Sequence, residues 1–263
     1  MSVRFEIVLI IAVILTVSML LSRGVEKHLT ARPISRRLAV AFGLTILSLP
    51  GLWYTVYYTH ILPESVWLYR LRSLPGSNLL LAFLIPAAVA WGTVLPQFLK
   101  LHVCAAATAW LLVPFFKPLL RPLLESDLKD TWKGTACLQS TVSTCGPASA
   151  ASILRYLGDK TVTEKELACN AWSTATGTEA WHLARAIQKR GFDTSFTLSG
   201  LDPSTPLPGI LGVKVGENGH FIAILKLEAN EVTLIDPLSG EETMPLEELY
   251  DRYKPTGFFM GIR

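Results

Sequence analysis

The residues whose types and spacing suit chemistry lie in the second half of this 263-residue chain. Cys145 stands in Ser143-Thr144-Cys145-Gly146-Pro147, just before an apolar helical run, Ser149–Leu157, closed by Gly158. Pro147 suits a first helical turn, where its missing N–H is not needed. A thiol there faces free N–H groups and the positive end of the helix dipole, a setting for negatively charged sulfur, the reactive form of cysteine. Gly146 has no side chain, so a substrate backbone has room to approach. Six residues upstream of the cysteine, Gln139 offers an amide that can donate to a developing oxyanion together with the backbone N–H of Cys145. A cysteine nucleophile needs a base, and the base needs a group that orients it. His220 opens an apolar strand, Gly219-His220-Phe221-Ile222-Ala223-Ile224, and Asp236 ends the next, in Leu234-Ile235-Asp236-Pro237. Singly, each has a plain structural reading: a small buried cysteine, a hydrogen-bonded histidine, a turn at Asp-Pro-x-x-Gly. Together they supply oxyanion donor, nucleophile, base and orienter, in the order Gln139, Cys145, His220, Asp236.

These roles require particular elements. Thr163-Glu164-Lys165-Glu166 is a capping box that opens a short helix, and Glu179–Arg190 is an amphipathic helix stopped by Gly191. The period then changes. Thr194–Leu198, Gly209–Val215, Phe221–Leu227, Val232–Asp236 and Gly257–Ile262 read as strands, with a short late helix at Leu246–Tyr253 and a proline-rich surface loop at Asp202–Gly209. Helices first and strands afterwards predict an α+β domain with an antiparallel sheet. The register between the last strands decides the site. A three-residue loop with Asn230 left-handed puts Leu227 opposite Glu231, and His220 and Asp236 share a face. A two-residue loop puts them on opposite faces.

With these residues in view, this half resembles the papain-like cysteine peptidases that process bacteriocin and pheromone precursors. In peptide-exporting ABC transporters that domain cleaves leaders after a double glycine. The likeness rests on Gln139 with Cys145-Gly146, on Gly219-His220-Phe221, on Asp236-Pro237 and Gly240, and covers roughly residues 132–262. It implies a papain-like fold, with Cys145 as nucleophile, His220 as general base, Asp236 as its orienter and Gln139 as oxyanion donor. It also implies a peptide or precursor-protein substrate and a peptide exporter as partner. Three features depart from the family pattern. Thr144 stands where an acidic residue commonly precedes the cysteine, the chain carries no Walker motif, and its four expected spans are fewer than a transporter half carries, so double-glycine specificity does not carry over directly. Two other readings of the residues stay open: a non-catalytic module that holds a leader peptide for an export system, and related cysteine chemistry on another acyl group, as in an acyltransferase or amidase.

The first half is of another kind. The whole chain is 50% apolar and 17% charged, with net charge +3, which excludes disorder and an ordinary soluble globule. That mild charge is a cancellation: residues 1–124 hold 11 Lys/Arg and 3 Asp/Glu, residues 125–263 hold 13 and 18. The division predicts a membrane region, 1–124, and a peptidase domain, 125–263. About four spans are expected, at 5–21, 38–58 (interrupted by Pro50-Gly51), 79–95 and 102–116, with Pro114–Leu124 as an interfacial exit. The first run is long for a signal peptide and lacks a small-x-small site after it, so it reads as an anchor. The loop Ser22–Arg37 carries Arg23, Lys27, Arg32, Arg36 and Arg37, which marks it as cytoplasmic. Trp53, Tyr54, Tyr57, Tyr58, Trp67 and Tyr69 read as an interfacial aromatic belt around the next loop. The expected location is a bacterial cytoplasmic (inner) membrane, multi-pass, with the peptidase domain extracytoplasmic. Lys117 and Arg121 pull the other way, and an odd number of spans reverses the side.

No C-x-x-C or H-E-x-x-H occurs, so no metal and no cofactor is expected. The basic residues cluster at membrane edges and the second half is acidic, so nucleic acid is not expected as a partner. His182 reads as structural, His28 and His60 as loop residues, His102 as a membrane-boundary residue and Cys104 as part of a span. Whether Cys137 and Cys169 pair is open at this stage.

Overall fold

The computed structural model describes residues 3–59, 61–201 and 205–263; His60 and the start of the Asp202–Gly209 loop lie outside the described residues. The chain forms two compact units, Met1–Glu64 with Gly76–Leu120, and Ser65–Pro75 with Arg121–Arg263.

The first unit is helical. Its elements are α1 (Val3–Leu29) and α2 (Ile34–Tyr58); then, beyond α3 (Val66–Ser73) of the other unit, a 3-10 segment (Ser77–Phe83), α4 (Leu84–Gly92) and α5 (Gln97–Leu120). Among the described residues, three helices, α1, α2 and α5, are long and apolar enough to cross a membrane, and a fourth passes only if α3 and Ser77–Gly92, which meet at 94°, count as one span. Several expected boundaries move. α2 runs unbroken through Pro50-Gly51, because Gly51 is where its backbone meets the 3-10 segment: a Cβ there would lie 2.4 Å from the Leu80 carbonyl. The span expected at 79–95 is the 3-10 segment plus α4. Pro86 cannot donate to the Ala82 carbonyl one turn back, and Ser18 Oγ of α1 donates to it instead, at 3.0 Å. The expected exit ramp at Pro114 is helix: α5 continues through Pro114 and Pro118 to Leu120, as proline-containing apolar helices can.

One end of this bundle is tied by polar groups. Arg37 donates to the carbonyls of Arg32, Thr30 and Thr93 at 2.8, 2.8 and 3.1 Å, and Lys100 pairs with Glu26 at 3.0 Å. The end of α1, the start of α2, the end of α4 and the start of α5 therefore lie together. The aromatic belt is not assembled as expected. Tyr54, Tyr57 and Tyr58 are buried, Tyr54 donating to Asn78 Oδ1, and Tyr69 belongs to the other unit; Trp53 and Trp67 face outward.

The second unit is α+β. A hairpin of β1 (Thr131–Lys133) and β2 (Ala136–Leu138) precedes α6 (Cys145–Tyr156), α7 (Glu164–Asn170) and α8 (Ala180–Lys189). Then come β3 (Thr194–Thr197), β4 (Gly209–Val215), β5 (Asn218–Glu228), β6 (Glu231–Asp236), β7 (Gly240–Pro245), α9 (Leu246–Tyr253) and β8 (Pro255–Ile262). The last six strands make one antiparallel sheet in the order β3-β8-β4-β5-β6-β7. The capping box forms: Thr163 Oγ1 accepts from the Glu166 N–H at 3.0 Å. β7 was not expected, because its Gly-Glu-Glu-Thr-Met-Pro sequence is an edge strand with only Gly240 and Met244 buried. Nor was α3, which lies on α8 and β3. The division expected at 124/125 falls at 120/121, and the second unit also takes in Ser65–Pro75. An aromatic and apolar helix face, carrying buried Leu68 and Tyr69, is the physical reason.

Candidate active site

The site is built where α6 lies on the sheet. Ser149 Oγ of α6 donates to the Phe221 carbonyl of β5 at 3.1 Å. Gly146 fits into this seam, its Cβ position 3.2 Å from Leu183 of α8 and 3.3 Å from Phe221. The glycine therefore serves helix-on-sheet packing, where the sequence had pointed to room for a substrate. Cys145 opens α6, so its N–H is among those with no acceptor within the helix. Thr144, fully buried, locks the turn before it: its hydroxyl donates to the Thr141 carbonyl and accepts from the Thr141 N–H, each at 3.1 Å.

His220 and Asp236 meet, by a route the sequence did not give. The turn between β5 and β6 has two residues, not three: Glu228 lies opposite Glu231. Ala229 and Asn230 both have positive φ, 47° and 71°, as a type I′ turn requires. Such a turn alone puts His220 and Asp236 on opposite faces. A bulge reverses the parity: Lys226 faces Thr233 and Ile224 faces Leu234, leaving Leu225 as the extra residue. Asp236 then falls on the face of Ile222 and His220, and His220 Nε2 lies 2.8 Å from Asp236 Oδ1.

The electrostatics follow from this contact. Burial works against a charge on His220, but the hydrogen bond it donates to Asp236, then the hydrogen bond and charge of Cys145, push it up to about 9. With Nε2 engaged by Asp236, the ring's other nitrogen, Nδ1, is the one left for the thiol. Burial also opposes ionisation of Asp236, yet hydrogen bonds from His220, the Leu238 N–H and Tyr253 hold its carboxyl below the usual carboxylate range. Oδ1 accepts from the Leu238 N–H at 3.0 Å, so Asp236 also closes the turn that Asp-Pro-x-x-Gly suggested.

Gln139 is brought to the same place by the β1–β2 hairpin. Its backbone N–H donates to the Pro237 carbonyl at 3.0 Å, and Lys133 Nζ donates to the Ser239 carbonyl at 2.9 Å. One of the two hydrogens on its Nε2 goes to the Thr141 carbonyl, at 2.9 Å, so a single amide hydrogen remains for an oxyanion.

Two groups in this network had no sequence signal. Tyr253 ends α9 and reaches Asp236 Oδ2 at 3.0 Å and Glu242 Oε1 at 2.6 Å; Glu242 in turn accepts from Arg252 at 2.8 Å. Glu164, fully buried at the start of α7, accepts from the backbone N–H of Ser140 at 2.8 Å and from its hydroxyl. It thereby clamps the residue next to Gln139. A glutamate in a capping box is read as a surface residue, so its inward turn was not legible.

His182 lies apart, 4.7 Å from Trp172 ring to ring; burial first, then Arg185 and Arg72, push it well below the usual imidazole range. Cys137 and Cys169 are both free thiols. Burial raises both.

Residues 133–260 match the Peptidase C39 family. The chain is similar to an uncharacterized protein of Methanothermobacter thermautotrophicus, 34% identical over 113 residues, which make 42% of this chain and 76% of that one. It is likewise similar to one of Methanothermobacter marburgensis, 31% identical over 105 residues, 39% of this chain and 70% of that one. Among solved structures, it is similar to the peptidase domain of Streptococcus ComA, described as a bifunctional ABC transporter involved in quorum sensing, at 22% identity and a TM-score of 0.42, over 48% of this chain and 94% of that one. It is also similar to a double glycine motif protease from an AMS/PCAT transporter in complex with the leader peptide, at 20% identity and a TM-score of 0.40, over 54% of this chain and 96% of that one.

Proposed function

The chain belongs to the Peptidase C39 family through residues 133–260, and from that premise we propose that it is a membrane-anchored cysteine peptidase acting on a peptide or precursor protein. The observation that carries this is the 2.8 Å contact of His220 Nε2 with Asp236 Oδ1, made beside Cys145 at the start of a helix. His220 takes the proton of Cys145 as the sulfur attacks the peptide carbonyl carbon, and the oxyanion forms against the Cys145 N–H and the Gln139 amide. His220 then protonates the departing amine, leaving an acyl-enzyme. Water, deprotonated by His220, attacks the acyl carbon and releases the acid and the thiol. Asp236 keeps the ring oriented and balances the imidazolium charge.

The catalytic domain is proposed to lie outside the cytoplasm of a bacterial cell, on a four-pass bundle in the cytoplasmic membrane. The end of the bundle where α1 meets α2 gathers Lys27, Arg32, Arg36, Arg37 and Lys100, the residues that favour the cytoplasm. α2 and α5 both run away from that end. Of the two arginines in the segment between α2 and Gly76, Arg72 is buried within its own unit and Arg70 is exposed. A peptide exporter is the natural partner for such an enzyme.

The test is cleavage of candidate precursor peptides by the full chain, alongside alkylation of Cys145 by iodoacetamide near neutral pH. Cys145→Ala and His220→Ala are each expected to lower cleavage by at least about a hundredfold. Full cleavage by either variant refutes the mechanism, and alkylation indifferent to His220→Ala favours a binding module.

A further inference from the structure

The catalytic unit contains a helix from the other half of the chain. α3 follows α2 in sequence and precedes the segment that re-enters the bundle, yet its inner face is buried in the catalytic unit. Tyr69 sits in a cage of rings: Phe196 of β3 stacked at 5.2 Å and 17°, Phe258 of β8 at 5.2 Å and Trp181 of α8 at 6.0 Å. One turn on, the Arg72 guanidinium lies 3.6 Å over the Trp181 ring. Leu68, Tyr69 and Arg72 are 3%, 4% and 0% exposed, while Trp67 on the opposite side is 61% exposed. Without α3, three large rings would face water, an apolar patch that a domain cannot leave open without cost.

The two halves of this contact lead to the same place. Phe258 packs on Phe221 at 5.5 Å, and Phe221 is both the neighbour of His220 and the wall that Gly146 touches. Trp181 lies on α8 two residues before Leu183, the other wall of Gly146. Gly146 follows Cys145. The sheet side and the helix side of the α3 docking surface therefore converge on the seam that sets Cys145 against His220.

We propose that Ser65–Pro75 is a strap, a segment tethered at both ends to membrane-directed helices, whose docking on Trp181, Phe196 and Phe258 holds the α6–β5 seam in catalytic register. The strap makes the enzyme dependent on its membrane half: this aromatic surface is an interface for an arginine- and tyrosine-bearing helix, filled by the chain's own inter-span segment. The proposal rests on Cys145 and His220 being the catalytic pair.

The full chain in detergent or nanodiscs tests it, with Tyr69→Leu, Arg72→Met and, as the exposed-side control, Trp67→Phe. Two quantities are read: the alkylation rate of Cys145 at pH 7, from mass spectrometry of its peptide, and hydrogen exchange in α6 and β5. Tyr69→Leu and Arg72→Met are each expected to slow alkylation about tenfold, since small misplacements of reacting groups cost this much or more. Both are expected to speed exchange in the seam, and Trp67→Phe to leave both readouts unchanged. Wild-type alkylation in Tyr69→Leu and Arg72→Met overturns the strap, and so does equal slowing by Trp67→Phe. If Tyr69→Leu fails to fold, Arg72→Met, which keeps an apolar stem, decides alone. The peptidase reading fails separately: alkylation would then be indifferent to His220→Ala, while the strap variants still loosened the seam.

Discussion

His220 is bonded through Nε2 to Asp236, and its other face is left to Cys145, so a pH profile of the proposed reaction reads its proton. The imidazolium is the acid that releases the amine. With His220 raised from 6.5 to about 9, that proton is held below pH 9 and lost above it. Cleavage is therefore expected to fall on an alkaline limb near pH 9. Asp236→Asn removes the largest raising influence, so the limb should move to lower pH as the rate drops; a limb that stays in place would show that Asp236 does not set it. Tyr253→Phe leaves the ring and removes the one hydroxyl hydrogen that Asp236 Oδ2 and Glu242 Oε1 share. A loss of about 1 kcal/mol, roughly fivefold in kcat with KM unchanged, is expected in steady-state kinetics. Glu164→Gln replaces a buried double acceptor with a group that must point a donor at Ser140. It should cost about 1–3 kcal/mol in a denaturation experiment. Cys145, His220, Asp236 and Gln139 could be proposed from the sequence because each has a side chain suited to one step of the reaction, and the structure brings His220 to Asp236. Tyr253 and Glu164 could not, because a tyrosine ending one amphipathic helix and a glutamate opening another are ordinary surface residues until packing turns them inward.

At the level of elements, the β5–β6 hairpin shows how one site can be reached by two geometries. A three-residue loop, or a two-residue turn with one bulge, gives His220 and Asp236 the same face. The chain uses the second, and Leu225 is the residue displaced from the ladder. Its cost is visible in the turn: Ala229 is held at φ 47°, a conformation that penalises a Cβ by roughly 1–2 kcal/mol. Asparagine tolerates that region and is favoured in type I′ turns, so Ala229→Asn is expected to raise stability by about 0.5–1 kcal/mol, seen as a higher melting temperature with unchanged cleavage. The alternation of apolar residues made β4, β5 and β6 legible. β7 escaped because an exposed edge strand needs little apolar sequence, and α3 escaped because aromatic residues beside apolar spans resemble an interfacial belt.

On the scale of the whole molecule, the basic residues and the paths of the helices bear on the same question. Two helices and a short 3-10/α segment return the chain to the end from which α5 leads into the catalytic unit. The proposed four-pass arrangement predicts that a C-terminal reporter active only outside the cytoplasm will be active, and that one active only inside will be silent. The opposite result would place processing before export and would mean that Ser77–Gly92 turns back within the bilayer.

Sequence alone determined the division of the chain into an apolar basic half and an acidic mixed half, the α+β class of the second, and four residues whose chemistry fits one reaction. These follow from composition, period and functional groups, which are local properties. Tertiary structure decided how His220 reaches Asp236, that Gly146 serves packing, that Tyr253 and Glu164 support the site, and that Ser65–Pro75 belongs to the catalytic unit. Each of these depends on a bulge, a packed seam or a contact between residues far apart in the chain. Such features are fixed by the summed burial of many side chains, and no local pattern records them.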